Sequence, residues 1–165
     1  AESLVDSPTP KGRGLRHHGT YGGLAITLID DSYNASPASM SAAFASMAAS
    51  PPNIMVLSEM LELGDATTHE HDALISQINA LAPRLVIGLG TELQNALSAL
   101  DKNITFIAAK TSQDALQALN DAIEDTDVVF VKGSHGSGAW RVRDAILDRI
   151  SPFENTKNGS DSHAA

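Results

Sequence analysis

Cysteine is absent from the 165-residue chain. Without thiols the chain can form neither a disulfide nor a thiolate metal site, which fits a reducing compartment. No apolar run approaches the roughly 20 residues of a membrane-spanning helix, and no signal-peptide pattern opens the sequence. We therefore expect a cytoplasmic protein without a membrane span.

Positive charge is also scarce, because 11 lysines and arginines face 20 acidic residues, for a net charge of −9. This balance argues against a nucleic-acid partner. Segment 7–29 is the exception: it has no acidic residue, and its basic side chains are Lys11, Arg13, Arg16, His17 and His18. Such a stretch suits an anionic ligand such as phosphate, but it is equally typical of a solvated leader. Charge alone leaves both interpretations open.

Apolar residues make up 42% of the chain, enough for one folded domain with a real core. Short β-rich apolar runs alternate with alanine- and leucine-rich segments of helical spacing. The predicted strands are 24–29, 53–57, 84–89, 104–108 and 128–131. The predicted helices are 37–49, 68–81, 92–100, 113–123 and 139–150. This alternation predicts an α/β fold with a mainly parallel sheet and helices on both faces.

The composition divides the chain into three parts. Residues 1–22 read as a basic leader and entry segment, 23–150 as the domain, and 151–165 as a disordered polar tail. The first residue is alanine, so we expect either processing or a piece of a longer protein.

Capping signals mark several predicted helix starts. Ser36-Pro37 places an N-cap hydroxyl before a proline at the first helical position. Capping-box spacing occurs in the pairs Thr67–Glu70 and Thr91–Gln94, so the second helix is expected to start near Thr67.

Ligands of an open parallel sheet bind beyond the carboxyl ends of its strands. The loop after the first predicted strand lies in "LIDDSYNASPASM", residues 28–40, and holds Asp30, Asp31 and Asn34. A carboxylate there can accept hydrogen bonds from both hydroxyls of a ribose, and an amide can donate and accept. Helix capping by Asp31 or Ser36 explains the same residues, so spacing alone leaves both explanations open.

The loop after the last predicted strand reads "VKGSHGSGAW", residues 131–140. Its glycines and serines suit a phosphate or carboxylate cradle, although the G-x-x-x-x-G-K-[ST] order of a P-loop is missing. A plain glycine-rich turn explains it as well. His69 and His71 lie two positions apart and do not share a helix face, which favours a solvated helix start over a metal site.

Four motifs occur in a fixed order: "GRG" at 12–14, "LIDDSYNASPASM", "SEMLELGD" with His71 seven residues after Gly64, and "VFVKGSHGSG". Together, over about residues 11–150, they resemble the C-terminal domain of the Mur ligases. That resemblance implies a Rossmann-like three-layer sandwich. "DDSYNASP" is similar to the D-D-S-Y-N-A-N-P of the branch that adds D-alanyl-D-alanine.

The resemblance implies an ATP-dependent amide ligation in peptidoglycan precursor synthesis. In that reaction ATP with Mg²⁺ phosphorylates a carboxylate of UDP-N-acetylmuramoyl-tripeptide, and the amine of D-alanyl-D-alanine attacks the acyl phosphate. The P-loop and the Mg²⁺ ligands of the family are not in this sequence. The resemblance therefore implies N-terminal and central domains as partners, with ATP and Mg²⁺ held mainly by the central domain. It also implies that no catalytic residue or metal ligand lies in this chain, and that the chain is inactive by itself.

The same resemblance implies roles for eight residues. The nucleotide-binding set is Arg13 for contact with the nucleotide, Asp31 for the ribose, and Tyr33 and Asn34 in the same loop. The set near the incoming dipeptide is Lys132, Ser134, His135 and Ser137. Two positions depart from the family: Ser36 replaces an asparagine, and His135 stands where many relatives have arginine. An imidazole cannot form the bidentate fork of a guanidinium, which puts a carboxylate-binding role for His135 in doubt.

Two other interpretations remain open from the sequence. One is a free-standing nucleotide-binding module without catalysis. The other is a different member of the Mur or folylpolyglutamate-type ligases, against which the D-D-S-Y-N-A-x-P spelling argues.

Overall fold

A computed structural model describes residues 12–153 of the chain. Its strands are β1 (Leu15–Tyr21), β2 (Leu24–Asp31), β3 (Ile54–Ser58), β4 (Leu85–Leu89), β5 (Thr105–Ala109) and β6 (Val128–Lys132). Its α-helices are α1 (Pro37–Met47), α2 (Thr67–Leu81), α3 (Thr91–Leu97), α4 (Ser112–Ala122) and α5 (Ala139–Leu147). Single 3₁₀ turns cover Gly64–Ala66 and His135–Ser137.

The strands form one sheet in the order β1-β2-β6-β3-β4-β5. All neighbours from β2 to β5 are parallel, and β1 joins the edge antiparallel to β2. Buried side chains of α1, α2 and α3 pack on one face, and those of α4 and α5 pack on the other. The predicted Rossmann-like three-layer sandwich is confirmed.

Strand β1 is a correction to the sequence analysis, which placed residues 15–21 in a leader. The strand lies at the sheet edge, and its side chains alternate in exposure, so it lacks the continuous apolar character of the inner strands. Gly22 and Gly23 both have positive φ, 58° and 88°, as a tight two-residue hairpin requires. Residues 1–11 and 154–165, which include the start of the predicted leader and nearly all of the predicted tail, lie outside the described residues.

The helices start close to the predicted positions, but only some of the predicted capping contacts are present. Ser36 caps α1 as predicted, and its box partner is Ser39. The predicted boxes at Thr67 and Thr91 are wrong, because the N-cap residues are Ala66 and Gly90, and neither provides a side-chain cap.

Two further helix contacts were not predicted from the sequence. A capping box that the sequence analysis missed joins Thr111 to Asp114 at the start of α4. Gln94 serves another purpose than capping: its amide donates to the carbonyls of Gly88 and Ala109, which ties α3 to β4 and β5.

Among residues 12–153, no helix combines the length and the apolar character that crossing a bilayer requires.

Candidate functional site

The loops after the five parallel strands lie at the carboxyl edge of the sheet, where the topology places a ligand site. Hydrogen bonds join the loop after β2 to the loop after β6, through Ser134 Oγ and the carbonyl of Ala35 at 3.4 Å. A hydrogen bond also joins the loop after β3 to the loop after β6: the amide of Leu61 donates to Ser134 Oγ at 3.1 Å. The edge is therefore one connected surface.

A cavity of about 400 Å³ opens on this surface beside β2 and α1, and is called the Asp31 cavity here. Its lining includes all four residues predicted to bind nucleotide, together with a lysine that was predicted elsewhere: Arg13, Asp31, Tyr33, Asn34 and Lys132. The fold thus brings together side chains that are 119 positions apart in sequence, from 13 to 132.

The two adjacent aspartates at the end of β2 have different environments. Asp30 is 1% exposed, and both its oxygens accept hydrogen bonds. Oδ1 accepts from the amide and hydroxyl of Ser32, and Oδ2 accepts from the amide of Gly12 and from Arg143 Nη1 at 2.6 Å. Asp30 is therefore structural, whereas Asp31 lines the cavity. Because Ser36 caps α1, Asp31 is not needed as a cap.

Lys132, which was predicted to lie near the incoming dipeptide, lines the Asp31 cavity. Its side chain is 2% exposed, and Nζ lies 2.7 Å from Asp31 Oδ2. Nζ also donates to the carbonyl of Asn34 at 3.0 Å. A buried ammonium needs such partners, because an unpaired charge is costly to desolvate. The pair holds the Asp31 carboxylate in the lining of the cavity, and among the described residues no hydrogen bond is made to its other oxygen.

Arg13 and Tyr33 form an exposed wall of the same cavity. The Arg13 guanidinium lies over the Tyr33 ring, 4.9 Å from its centroid, and Tyr33 is 55% exposed. The carbonyl of Gly12 accepts a hydrogen bond from the Tyr33 amide at 3.0 Å. Gly12 has a φ of 80°, and a Cβ there would lie 2.7 Å from the Tyr33 nitrogen, so the close approach requires glycine. A flat ring and a guanidinium suit the planar and anionic parts of a nucleotide.

The hydroxyls of the two predicted substrate-binding serines hold neighbouring loops together. Ser134 Oγ accepts from the Leu61 amide and is 5% exposed. Ser137 Oγ lies 2.7 Å from Ser58 Oγ and 3.1 Å from the carbonyl of Glu59. A Cβ on Gly133 would overlap Ser58 Oγ, so these contacts also require glycine in the loop. The hydroxyls are used within the protein.

His135 occupies an exposed aromatic stack. Its ring lies parallel to Trp140, with centroids 5.1 Å apart, and Trp140 Nε1 donates to the His135 carbonyl at 2.9 Å. His135 also borders a cavity of about 380 Å³ together with Tyr33 and Asn34. The four predicted dipeptide residues are therefore divided: Lys132 faces Asp31, Ser134 is enclosed, and His135 and Ser137 lie at separate cavities.

His71 corrects the expectation of a solvated helix start. The residue is fully buried in the first turns of α2. Its Nδ1 lies 2.7 Å from the carbonyl of Thr67, and its Nε2 accepts from the amide of Met60 at 3.0 Å. Since a carbonyl only accepts and an amide only donates, these contacts assign the proton to Nδ1. His71 anchors the loop after β3, a role that helical periodicity did not reveal.

Within the described part of the chain, no group of three His, Asp or Glu residues is placed to hold a metal ion.

Comparison with known proteins identifies the family of this chain. The model of the family described as "Mur ligase, glutamate ligase domain" matches residues 16–135, well over half of the chain. The chain belongs to this Mur ligase family. The family resemblance that the sequence motifs predicted is thereby confirmed.

Curated relatives share the Mur ligase domain and extend well beyond it. The UDP-N-acetylmuramoyl-tripeptide–D-alanyl-D-alanine ligase of Mycobacterium tuberculosis is 32% identical over 153 residues, covering 76% of this chain and 29% of the relative. The enzyme of the same name from Rickettsia prowazekii is 29% identical, covering 66% of this chain and 25% of the relative. The chain therefore spans less than a third of the length of these relatives.

Solved structures agree on the fold. The MurF ligase of Thermotoga maritima, in complex with ADP, superimposes with a TM-score of 0.69 at 23% identity, covering 88% of this chain and 33% of that one. MurF of Acinetobacter baumannii gives a TM-score of 0.68 at 25% identity, covering 88% of this chain and 32% of that one. This Mur ligase domain thus corresponds to about a third of each solved chain.

Proposed function

We propose that this chain is the C-terminal domain of an ATP-dependent ligase that adds D-alanyl-D-alanine to UDP-N-acetylmuramoyl-tripeptide in peptidoglycan precursor synthesis. The observation that carries the proposal is the Asp31 cavity, which gathers the four nucleotide-binding candidates on a Mur ligase fold. Further support comes from the two relatives, both of which are named as this ligase.

In this proposal the domain provides one wall of the nucleotide site. Asp31 accepts hydrogen bonds from the ribose hydroxyls through the oxygen that Lys132 leaves free. Arg13 contacts the phosphate or ribose, and Tyr33 and Asn34 line the same wall. Lys132 acts as a positioning residue that holds Asp31, in place of the dipeptide contact that the family resemblance implied.

Turnover in this proposal requires further domains. ATP and Mg²⁺ are held mainly by a central domain, and the UDP-linked tripeptide by an N-terminal one. Ligation depends on holding the reacting groups in alignment, so one wall of the nucleotide site alone gives essentially no turnover. We therefore propose that the chain is inactive by itself and that its partners are these two domains.

The test is ADP release from ATP, Mg²⁺, UDP-N-acetylmuramoyl-tripeptide and D-alanyl-D-alanine. The chain is assayed alone and with a separately expressed fragment carrying the first two domains. We expect no release from the chain alone, release on mixing, and loss of that release in Arg13→Ala and Asp31→Ala. Asp101→Ala, an exposed carboxylate away from the cavity, is the matched control and is expected to retain activity.

Other outcomes would contradict parts of the proposal. Turnover by the chain alone would show a complete phosphate site within it. ADP binding to the chain together with failure of every ligase domain to restore turnover would favour the alternative of a free-standing nucleotide-binding module.

A further inference from the structure

The segment that carries Arg13 into the Asp31 cavity is held against the end of β2 by hydrogen bonds on both sides of that residue. The amide of Gly12 donates to Asp30 Oδ2 at 2.9 Å, and the amide of Gly14 donates to the carbonyl of Asp30 at 2.7 Å. Gly12 and Gly14 have positive φ, 80° and 75°, which glycine adopts without strain. A single residue, Asp30, therefore fixes the backbone before and after Arg13.

The other oxygen of the Asp30 carboxylate holds the backbone next to Tyr33. Oδ1 accepts from the amide of Ser32 at 3.2 Å and from its hydroxyl at 2.7 Å, and Ser32 is fully buried. Ser32 directly precedes Tyr33, whose ring lies under the Arg13 guanidinium. One carboxylate thus holds the chain beside both members of this Arg13–Tyr33 stack.

Arg143 of α5 holds the Asp30 carboxylate in this orientation. Its Nη1 donates to Asp30 Oδ2 at 2.6 Å, and its side chain is 11% exposed. Four donors therefore converge on the two carboxylate oxygens, two on each. Asp30 is buried, and neither Asp30 nor Arg143 lines the Asp31 cavity. The pair can therefore influence a ligand in that cavity only through the residues that it holds.

From these contacts we infer that Asp30, fixed by Arg143, is a positioning residue for the nucleotide wall. It orders the Arg13–Tyr33 stack before nucleotide binds, so that binding does not carry the conformational entropy cost of ordering this segment. The inference rests on the proposed nucleotide role of Arg13. It adds two residues that act without touching the nucleotide, and it links the wall to α5, the helix that follows the loop after β6.

Asp30→Asn tests the inference at nearly unchanged side-chain size. A carboxylate accepts hydrogen bonds at both oxygens, whereas an amide has one accepting oxygen and an NH₂ group that only donates. In one orientation the NH₂ group faces the donors of Gly12 and Arg143, and in the other it faces the amide of Ser32. Either orientation releases the backbone beside one member of the Arg13–Tyr33 stack.

The test measures the dissociation constant of adenylyl imidodiphosphate, a non-hydrolysable ATP analogue, with Mg²⁺ and the full-length ligase of which these residues form part. A binding readout is used because Arg13→Ala is expected to abolish turnover. Calorimetric titrations compare the wild type, Asp30→Asn, Arg13→Ala and the double variant, each well below its unfolding temperature. We expect Asp30→Asn to raise the dissociation constant about tenfold in the wild-type background and less than about threefold in the Arg13→Ala background.

The decisive quantity is the coupling between positions 13 and 30. A residue that acts by positioning Arg13 has little effect once that side chain is gone, whereas a general loss of structure weakens binding equally in both backgrounds. Equal fold-changes in the two backgrounds would therefore overturn the inference. Asp148→Asn removes an exposed carboxylate at the end of α5 and is the matched control, expected to leave the constant unchanged in both backgrounds.

Arg143 is tested in the same assay with Arg143→Met and Arg143→Lys. We expect Arg143→Met to weaken binding as Asp30→Asn does, and Arg143→Lys, which keeps a cation beside Asp30, to recover part of the loss. Where Arg143→Met does not fold, Arg143→Lys alone is compared with the wild type and is expected to bind more weakly. Wild-type affinity in every folded variant of Arg143 would overturn its positioning role.

Failure of the proposed function is distinguishable from failure of this inference. A wild-type ligase that does not bind the analogue, or an Arg13→Ala variant that binds it as the wild type does, contradicts the proposed nucleotide role, and the inference falls with it. Weakened binding in Arg13→Ala together with unchanged binding in Asp30→Asn overturns the inference alone.

Discussion

At the scale of single residues, environment separates side chains that are identical in sequence. Asp30 and Asp31 follow each other on β2, yet one is enclosed by four hydrogen bonds and the other faces a cavity. The sequence predicted a site at this loop and assigned the ribose to Asp31. It gave no sign that Arg143, 113 positions away, pairs with Asp30, because that contact depends on how α5 packs on the sheet.

The buried Asp30–Arg143 ion pair is expected to contribute to the stability of the fold. Arg143→Met leaves the Asp30 carboxylate buried without its charged partner, which is expected to lower the free energy of unfolding by about 3–5 kcal/mol. Arg141→Met, two positions along the same helix and exposed, is the control and is expected to change it by less than about 1 kcal/mol. Urea denaturation of both variants measures the difference. Equal values for the two would contradict the structural role of Arg143.

The environment of Tyr21 predicts how stability depends on pH. Burial raises the pKa of Tyr21 above its usual value of 10.0, more strongly than the neighbouring Arg149 lowers it. The unfolded chain therefore loses this proton at a lower pH than the folded chain does. The contribution of Tyr21 to stability is complete below about pH 10 and is lost as pH rises through the folded pKa.

Tyr21→Phe isolates this contribution. The difference in the free energy of unfolding between wild type and variant is expected to shrink as pH rises above about 10. Below that pH the difference is expected to stay constant, at about 1 kcal/mol for the lost hydrogen bonds to Asn120 and Arg149. Denaturation between about pH 8 and 11 measures it, and a difference that grows with pH would contradict the raised pKa.

At the scale of elements, the buried parts of the fold were predictable and the edges were not. The inner strands β3 and β4 are buried at every position, so they stand out as apolar runs. Strand β1 covers an edge and alternates in exposure, and the glycine pair that turns into β2 was its one clear signal. Two predicted capping boxes failed because spacing does not determine where the side chain points.

The loop after β3 depends on α2 through His71, which gives a prediction at this scale. His71→Leu removes the acceptor for the Met60 amide and leaves a buried N–H unpaired, which is expected to cost about 1–3 kcal/mol. His69→Leu, an exposed change in the same turn, is the control and is expected to cost less than about 0.5 kcal/mol. Thermal or urea unfolding compares them, and equal costs would show that the anchor contributes nothing.

At the scale of the whole molecule, the order of four motifs predicted the family and the fold. It did not predict how the eight candidate residues are distributed over separate cavities. The eight candidate residues all lie on or near the carboxyl edge, as strand order requires. Which of them are free to bind a ligand depends on internal bonds: Lys132, Ser134 and Ser137 use their polar groups within the protein.

The central claim is that Asp31 of this domain binds the nucleotide of a ligase. The most direct measurement is the steady-state kinetics of Asp31→Asn in the full-length enzyme, with ATP and D-alanyl-D-alanine varied in turn. We expect the KM for ATP to rise about tenfold, as for the loss of one charge-assisted hydrogen bond, and the KM for the dipeptide to stay within about twofold of the wild type. An unchanged KM for ATP with a raised KM for the dipeptide would contradict the claim.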